Sequence, residues 1–317
     1  MSAVDAVSLA VSILEDCPHT NAGIGSNLTL DGKIECDASL MESEQGAVGI
    51  VGSVSHIRNP INIARLMVQD QFGPPLPLNR LKPLILVGKE AEKWAKKRGI
   101  PLVSKESMIT KKAQHLFNIC YKSLSTVLGK DQTVTFPVEE VQDTVGAIAL
   151  DSSGTIASGV SSGGLVLKQP GRVGQAGSFG SGCWAEKFSK EKICVGTSTS
   201  GSGEYLLKTL IAQKGAECIA QTPLAMVGLS EALNTHFLQS KFLQHVPEKD
   251  RLGGMMALKT DEENGSLDVV WGHTTLTMGI GYMSSNDRKP KARISKLPHG
   301  IEQGHAVNVE GQTYRLF

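Results

Sequence analysis

Residues 142–148 read QDTVGAI, and residues 161–175 read SSGGLVLKQPGRVGQ. The first stretch passes from polar residues into small and β-branched ones, which is typical of the start of a strand. A DSSG turn then separates TVGAIAL from TIASGVS, and this pattern predicts a β-hairpin. Because two strands of about six residues joined by a tight turn run back along each other, we expect Ser161 and Ser162, at the end of the return strand, to lie beside Thr144. A hydroxyl there can hydrogen-bond Thr144, or the two serines simply form a polar turn at the strand end.

The composition is that of a globular protein with a sizeable core. The chain has 317 residues, 40% of them hydrophobic, and its 34 glycines suggest an α/β protein with tight turns. This length suits one large domain or two ordinary ones. A formal net charge of +1 gives no reason to expect nucleic acid or an anionic membrane as a partner. The apolar runs are shorter than a transmembrane segment.

Six cysteines are scattered along the chain without a CxxC pair or a zinc-like spacing. This distribution favours reduced thiols in a cytoplasmic or nuclear protein over a disulfide framework. The first residues include Asp5 and have no basic leader, so they do not match a secretory signal. The cysteines are Cys17, Cys36, Cys120, Cys183, Cys194 and Cys218.

Helical and hairpin patterns alternate in blocks along the chain. An apolar helix pattern opens the sequence, and hairpin turns are predicted at residues 31–32 and 264–265. The apolar segment PLILVG at 83–88 predicts a short buried strand or a buried turn, and residues 222–239 predict a helix. Residues 105–143 have the weakest periodicity and resemble a linker, in which the stretch KESMITKKAQHLFNICYKSL at 105–124 is compatible with a helix. Together these patterns predict a layered αββα arrangement around two sheets.

Thr144 is the first candidate for chemistry. A threonine hydroxyl needs a nearby base to act as a nucleophile. If the bond after Asp143 is cut, the new α-amine of Thr144, with an ordinary pKa of about 8, can serve as that base. The alternative is that Thr144 simply begins a strand.

Three further stretches each have a functional and a structural interpretation. Arg172 lies among glycines in PGRVGQ and suits bidentate binding of a carboxylate, or it is an ordinary loop arginine. The TSTSGSGE segment at 197–204 suits an oxyanion or anion site, although it lacks the lysine of a phosphate-binding loop. Residues 21–25, NAGIG, form a turn or a loop that ligates a cation through carbonyl groups.

These stretches together resemble the threonine-nucleophile asparaginase family of N-terminal nucleophile (Ntn) hydrolases. The resemblance runs from residue 3 to about residue 312 and rests on DTVGAIAL, SSGGLVLKQPGRVGQAGSFGSGCWAE and TSTSGSGE. It implies an α+β fold, a four-layer αββα sandwich, in one domain over residues 1–317. It also implies a precursor that cleaves itself into an α segment, 1–143, and a β segment, 144–317, which stay associated. Residues 105–143 would be a flexible linker, and the αβ units can pair as a dimer.

One position favours the endopeptidase branch of this family, the threonine aspartases. Relatives that act on free asparagine or isoaspartyl dipeptides have Asp after GRVG, where its carboxylate holds the substrate ammonium. This sequence has Gln175 there, which is neutral and tolerates the peptide nitrogen of a continuing chain. The resemblance therefore implies cleavage of proteins after Asp.

The resemblance also implies a role for each matching residue. Thr144 would be the nucleophile, Asp143 the residue before the autocleavage site, and Ser162 the hydroxyl that assists. Arg172, beside Gly174 and Gln175, would bind the substrate carboxylate. Ser200 and Gly201 would form the oxyanion hole, and Gly203 would line the substrate site. The loop from Asn21 to Ser26 would hold a structural sodium, and no other cofactor or catalytic metal is expected.

The expected partners are nuclear transcription regulators, including trithorax-type methyltransferases, with a Gln–hydrophobic–Asp–Gly type of site. The protein would act in the cytoplasm, the nucleus or both; the mildly basic linker carries no clear nuclear signal. The first alternative is an L-asparaginase or isoaspartyl-peptidase type of amidohydrolase. The second is an inactive, truncated binding protein, because the family's usual first strand and helix have no match here.

Overall fold

A computed structural model describes residues 1–128, 144–190 and 192–316. Over this part of the chain the fold is a mixed α+β fold with two five-stranded sheets and a separate two-stranded one. This confirms the α+β class and agrees with an Ntn-hydrolase sandwich. Asp143, on which the autocleavage prediction depends, lies outside the described residues.

The first sheet contains the predicted hairpin that begins after Thr144. Its central strand β5 pairs antiparallel with β4 on one side and β1 on the other, and the order is β3-β2-β1-β5-β4. Val145 lies opposite Ser161, and Asp37 lies opposite Ser162, so three strands bring these residues to one end of the sheet. The strands are β1 Cys36–Glu42, β2 Val48–Val54, β3 Ile85–Val87, β4 Val145–Leu150 and β5 Ile156–Ser162.

The second sheet has the order β12-β9-β8-β7-β6, with antiparallel neighbours throughout. Its β8–β9 hairpin confirms the turn predicted at 264–265, where Gly265 has a φ of +60°. The strands are β6 Cys183–Phe188, β7 Ile193–Gly201, β8 Gly253–Asp261, β9 Ser266–His273 and β12 Asn308–Arg315. A small sheet pairs β10 Thr277–Tyr282 with β11 Lys291–Lys296.

Helices contact the two sheets. In the first sheet α1 contacts β4 and β5, and α2 contacts β1 and β2; in the second, α6 contacts β7 and α7 contacts β9. The helices are α1 Ala3–Glu15, α2 Ile61–Gln71, α3 Gly88–Lys96, α4 Lys111–Leu128, α5 Gly203–Thr209, α6 Ile211–Gln221 and α7 Ala225–Glu231, followed by a π-helix, Ala232–Leu238. Five 3₁₀ turns, Pro77–Asn79, Glu106–Met108, Gln175–Gly177, Lys241–Leu243 and Glu248–Asp250, complete the described helical elements.

The two large sheets contact each other through β4, β5, β6 and β7. Polar contacts join their inner faces, since Ser158 Oγ donates to Thr197 O at 2.6 Å and Ser198 Oγ donates to Gly159 O at 3.1 Å. These contacts fit two face-packed sheets with helices against them. The exact layer order and the absence of the family's first strand stay predictions.

Two local features differ from the simplest interpretation of the sequence. Within the predicted linker, residues 111–128 form helix α4, in agreement with the helix that the sequence allowed at 105–124, because Ala113, Leu116 and Cys120 follow helical spacing and are buried. The remainder, 129–143, lies outside the described residues. The apolar segment 83–88 was expected to be buried, yet β3 is an edge strand with Ile85 51% exposed.

None of the helices in the described residues combines the length and apolar character needed to cross a membrane. All six cysteines lie in the described residues as free thiols, as the sequence predicted.

Candidate active site

The predicted nucleophile lies immediately before β4, beside the last residue of β5. The Thr144 hydroxyl donates a hydrogen bond of 2.9 Å to Ser162 Oγ. Ser162 Oγ also accepts the N–H of Gly164 at 3.0 Å, and the Ser162 residue is only 3% exposed. Of the two serines that the hairpin was expected to bring beside Thr144, Ser162 makes this hydrogen bond, and Ser161 lies opposite Val145. The bond from Gly164 holds the Ser162 hydroxyl in one orientation.

Gln175 completes the hydrogen bonds at Thr144. Its Nε2 donates to Thr144 Oγ1 at 3.1 Å, and the residue is 3% exposed. Gly203 lies on the other side of the carboxamide, where a Cβ atom would be 2.6 Å from Gln175 Oε1. Gly203 therefore leaves the space that Gln175 occupies.

Arg172 lies at the other end of the site and is paired with a carboxylate that the sequence analysis missed. Its Nε donates to Glu204 Oε1 and its Nη2 to Glu204 Oε2, each at 2.7 Å. The side chain of Arg172 is 14% exposed, whereas that of Glu204 is 47% exposed. The Glu204 carboxylate therefore binds the edge of the guanidinium formed by Nε and Nη2. Nη1 makes no contact with this carboxylate.

Three glycines border the Nη atoms of Arg172, and one of them is Gly164, where a Cβ atom would be 2.8 Å from Nη1. A Cβ atom on Gly174 would be 2.7 Å from Nη1, and one on Gly203 would be 2.7 Å from Nη2. Larger side chains at these positions would displace the guanidinium. Gly174 and Gly203 therefore leave room for the guanidinium of Arg172.

Acidic residues at the start of β1 fix the loop that carries Arg172. Asp37 accepts the N–H of Gly174 and the N–H of Ser53, each at 2.8 Å, and Glu35 accepts the N–H of Gly171 at 2.7 Å. Burial raises the pKa of Asp37, and the nearby positive charge of Lys168 opposes that shift.

Ser200 and Gly201 end strand β7. Gly201 has a φ of +138°, and a Cβ atom there would be 2.5 Å from Leu252 O, so the position requires glycine. Thr144 and Gly201 line both the cavity that contains Arg172 and an adjoining groove, and Ser200 lines that groove. The predicted oxyanion residues and the predicted nucleophile therefore border one groove.

The site as a whole is a cavity of about 350 Å³ with Thr144 and Arg172 in its lining. Helix α4 supplies Leu116 and Cys120 to one wall, which the linker prediction did not anticipate. Among the described residues that line the cavity, Arg172 is the one with a formal charge at neutral pH. The other lining residues are Asn21, Asn27, Ser162, Gly164, Leu165, Val166, Gln175, Gly201, Ser202, Gly203, Leu252 and Thr275.

The loop predicted to hold sodium packs beneath this cavity. Asn21 Nδ2 and Asn27 Nδ2 donate to Gly164 O at 2.8 and 2.9 Å, and Gly163 N donates to Asn21 O at 2.8 Å. Asn27 Oδ1 is buried without a hydrogen-bond partner in the described part of the chain, and oxygen ligands of this kind suit a hard cation. The sodium site stays a prediction.

Sequence reasoning missed Glu204, Asp37 and Glu35. Glu204 follows TSTSGSG directly, but its pairing with Arg172 joins residues 32 positions apart and has no local signal. Asp37 carried a weak signal, because it is an acidic residue at the start of an otherwise small and apolar strand, CDASLM.

A comparison with protein families identifies the class of protein. The model of the asparaginase family named Asparaginase_2, described as asparaginase, matches residues 1–290. The chain therefore belongs to this family of the Ntn-hydrolase superfamily, and the family is one of hydrolases.

Individual relatives agree with this assignment. The isoaspartyl peptidase of Escherichia coli K12 is 33% identical over 259 residues, which is 81% of this chain and 73% of the relative. The isoaspartyl peptidase/L-asparaginase of Bos taurus is 32% identical over 305 residues, 96% of this chain and 84% of the relative. The plant-type L-asparaginase of Pyrococcus furiosus is 29% identical over 307 residues, 92% of this chain and 87% of the relative.

Proposed function

We propose that the chain is a threonine hydrolase whose nucleophile is the hydroxyl of Thr144. The observation that carries this proposal is the contact of Thr144 Oγ1 with Ser162 and Gln175, in a cavity that also holds the Arg172 guanidinium. A threonine nucleophile needs a base. Among the described residues that line the cavity there is no histidine, aspartate, glutamate or lysine. The α-amine released by cleavage after Asp143 is the base that this proposal requires.

In the proposed reaction the Thr144 amine accepts the hydroxyl proton as Oγ1 attacks the substrate carbonyl carbon. The carbonyl oxygen becomes an oxyanion beside Ser200 and Gly201, and Ser162 keeps the nucleophile oriented. The carbon–nitrogen bond then breaks, and the ammonium of Thr144 returns the proton to the leaving amine. Water, deprotonated by the same amine, hydrolyses the ester and restores Thr144.

Autocleavage is the first use of the same hydroxyl. Before the chain is cut, Thr144 Oγ1 would attack the carbonyl carbon of Asp143, and the Thr144 nitrogen would leave as the amine. Water would then hydrolyse the Asp143 ester to leave segments 1–143 and 144–317. The position of Thr144 at the start of β4, held by Ser162, supports the idea that the β segment keeps its place after the cut.

Arg172 would select substrates that carry a carboxylate near the bond to be cut. Its Nη1 does not contact Glu204, and the guanidinium lies in the cavity lining. In an aspartyl group the carboxylate and the attacked carbonyl are joined through two carbon atoms. Both asparagine amides and peptide bonds after Asp contain this unit, so Arg172 fits either class of substrate.

Gln175 favours the endopeptidase over the small-molecule enzyme. Free asparagine and isoaspartyl dipeptides carry an α-ammonium group, which needs a negative partner when it leaves water. Gln175 is neutral, and among the described residues that line the cavity none is acidic. A peptide nitrogen in a continuing chain is uncharged, so cleavage after Asp in a protein is the activity that we propose.

The relatives favour the alternative. The bovine relative is named an isoaspartyl peptidase/L-asparaginase and the Pyrococcus furiosus relative an L-asparaginase, and both match almost the whole chain. On that basis hydrolysis of asparagine or of isoaspartyl dipeptides is the second candidate function. The two candidates share Thr144, Ser162 and Arg172 and differ in how the substrate nitrogen is accommodated.

A direct comparison of substrates separates the candidates. The purified, cleaved protein is incubated with an Asp-Gly-containing peptide, with an isoaspartyl dipeptide and with free asparagine, and products are measured by mass spectrometry. We expect cleavage of the peptide after Asp and little turnover of the small amides. Gln175→Asp should raise turnover of the two ammonium-bearing substrates, with Gln213→Asp as a control glutamine away from the cavity. Turnover of the small amides alone by the unmodified protein would reject the endopeptidase.

A further inference from the structure

Outside the catalytic cavity, three side chains of different chemistry converge between α6 and the helix that follows α7. Cys218 belongs to α6, Glu231 is the last residue of α7, and His236 lies in the π-helix Ala232–Leu238. One ligand atom of each, a sulfur, a carboxylate oxygen and an imidazole nitrogen, lies within 4.8 Å of the other two. None of the three lines the cavity with Thr144.

The π-helix explains why Glu231 and His236 can meet. In an α-helix with 3.6 residues per turn, residues five apart point to different sides. A π-helix closes its hydrogen bonds between residues five apart, so such residues lie one turn above each other. The chain shows this pattern where Gln239 N donates to Asn234 O at 2.9 Å. π-helical turns are rare and occur often at functional sites.

No hydrogen bond or ion pair to another described residue explains why these three side chains meet. Within the described residues, none of them makes a side-chain hydrogen bond or ion pair, whereas His56 pairs with Glu92 and His305 with Glu248, each at 3.0 Å. Cys218 is buried, His236 is half-buried and Glu231 is exposed. The cluster therefore has a buried sulfur ligand and an entry path from solvent, but no internal contact that satisfies it.

The ligand types suit one class of ion. Sulfur and imidazole ligands with a carboxylate select zinc and similar first-row divalent ions over magnesium or calcium, which prefer oxygen alone. Around a tetrahedral zinc, with bonds of about 2.0–2.3 Å, neighbouring ligand atoms lie roughly 3.3–3.7 Å apart. The three ligand atoms of the cluster lie within 4.8 Å of one another, and small rotations of their side chains would bring them to the separation that zinc requires.

We propose that Cys218, Glu231 and His236 form a zinc-binding site with a fourth position open to solvent. The bound ion joins α6 to the π-helix, which also contacts α5, the helix that carries Glu204. The positive charge of the ion neutralises the Cys218 thiolate and the Glu231 carboxylate, which would otherwise repel each other. Binding displaces one proton from the thiol, and no electron transfer is involved.

The test uses the purified full chain and measures metal binding directly. Zn²⁺ affinity is determined by competition with a coloured chelator, and Co²⁺ is added separately to detect the absorption band of a cobalt–thiolate bond. We expect about one ion per chain, a cobalt–thiolate band, and a melting temperature that rises with Zn²⁺. Cys218→Ser should abolish the band, and His236→Gln should weaken Zn²⁺ binding about tenfold or more.

Control variants distinguish a specific loss of metal binding from a loss of folding. Cys17→Ser and His299→Gln remove a partly exposed cysteine and an exposed histidine away from the cluster and should leave binding unchanged. Circular dichroism shows whether each variant is folded, and Glu231→Gln, at an exposed position, gives a second, milder test. The proposal is overturned if the unmodified chain shows no cobalt–thiolate band, or if the band and the Zn²⁺ affinity survive in folded Cys218→Ser.

Discussion

The two ends of the cavity are built from different kinds of interaction. At the nucleophile end, Thr144, Ser162 and Gln175 are neutral and contact each other through hydrogen bonds of 2.9–3.1 Å. At the other end, the Arg172 guanidinium is paired with Glu204, and the buried Asp37 holds the loop beside it. In the proposed mechanism the neutral nucleophile end depends on a proton acceptor that arises when the chain is cut. The charged end needs no such step, and we propose that it selects the substrate.

The largest effect is expected at the nucleophile end. Thr144→Ala removes the hydroxyl and should lower turnover of the Asp-Gly peptide by about 10³-fold or more. Thr144→Ser keeps a hydroxyl in the same place and should retain measurable turnover, so it serves as the matched control. Substantial turnover by Thr144→Ala, measured with a single-turnover assay, would remove Thr144 from the chemistry.

A smaller loss is expected at the charged end. Arg172→Lys keeps the charge but loses the planar donors, so kcat/KM should fall about 10²-fold, mainly through KM. Arg98→Lys, at a surface arginine that pairs with Asp70, is the matched control and should leave kcat/KM unchanged. If KM is unaffected in Arg172→Lys, the carboxylate of the substrate binds elsewhere.

Glu204 should act through Arg172. Glu204→Gln weakens the side-on ion pair, so the guanidinium should be held less firmly and KM should rise about tenfold with kcat little changed. Because Glu204 is half-exposed, Glu204→Gln should leave the fold intact, and Glu217→Gln on α6 provides the control. A fall in kcat without a change in KM would contradict a positioning role.

The last prediction concerns Glu15, which is not in the cavity lining. Its substitution should have the smallest effect on activity and should instead change how stability depends on pH. Burial raises the pKa of Glu15 from 4.5 to about 8, so the native state holds this proton more tightly than the unfolded state does. The free energy of unfolding should therefore decrease as the pH rises from about 4.5 to about 8, by an amount on the order of a few kcal/mol. In Glu15→Gln the free energy of unfolding, measured with denaturant, should depend less on pH over the range from about 4.5 to about 8. An unchanged slope would show that Glu15 does not carry the pH dependence.

The sequence predicted the nucleophile end better than the charged end, for a physical reason. A hairpin with a tight turn fixes which residues face each other, so the proximity of Thr144 and Ser162 follows from local spacing. The contact of Gly203 with Gln175 and Arg172 depends on how β7 and α5 pack against the loop at 171–177, and no local pattern encodes it. Glu204 was missed for the same reason.

Three elements show where the local pattern alone was insufficient. A helix was compatible with residues 105–124, but its part in the cavity wall through Leu116 and Cys120 depends on packing that the pattern does not encode. The edge strand β3 looked buried because ILV is apolar, whereas its exposure is set by its place at the end of the sheet. The π-helix at 232–238 replaces the simple continuation of a helix that the apolar spacing indicated.

The central claim is that Thr144 becomes a chain terminus, and it is tested most directly by intact mass measurement and N-terminal sequencing of the purified protein. We predict two associated fragments, residues 1–143 and 144–317, the second beginning TVGAIAL, and a single intact chain for Thr144→Ala. An unmodified chain that stays intact after long incubation, or is cut at another bond, would contradict the account and would favour a protein that acts only by binding.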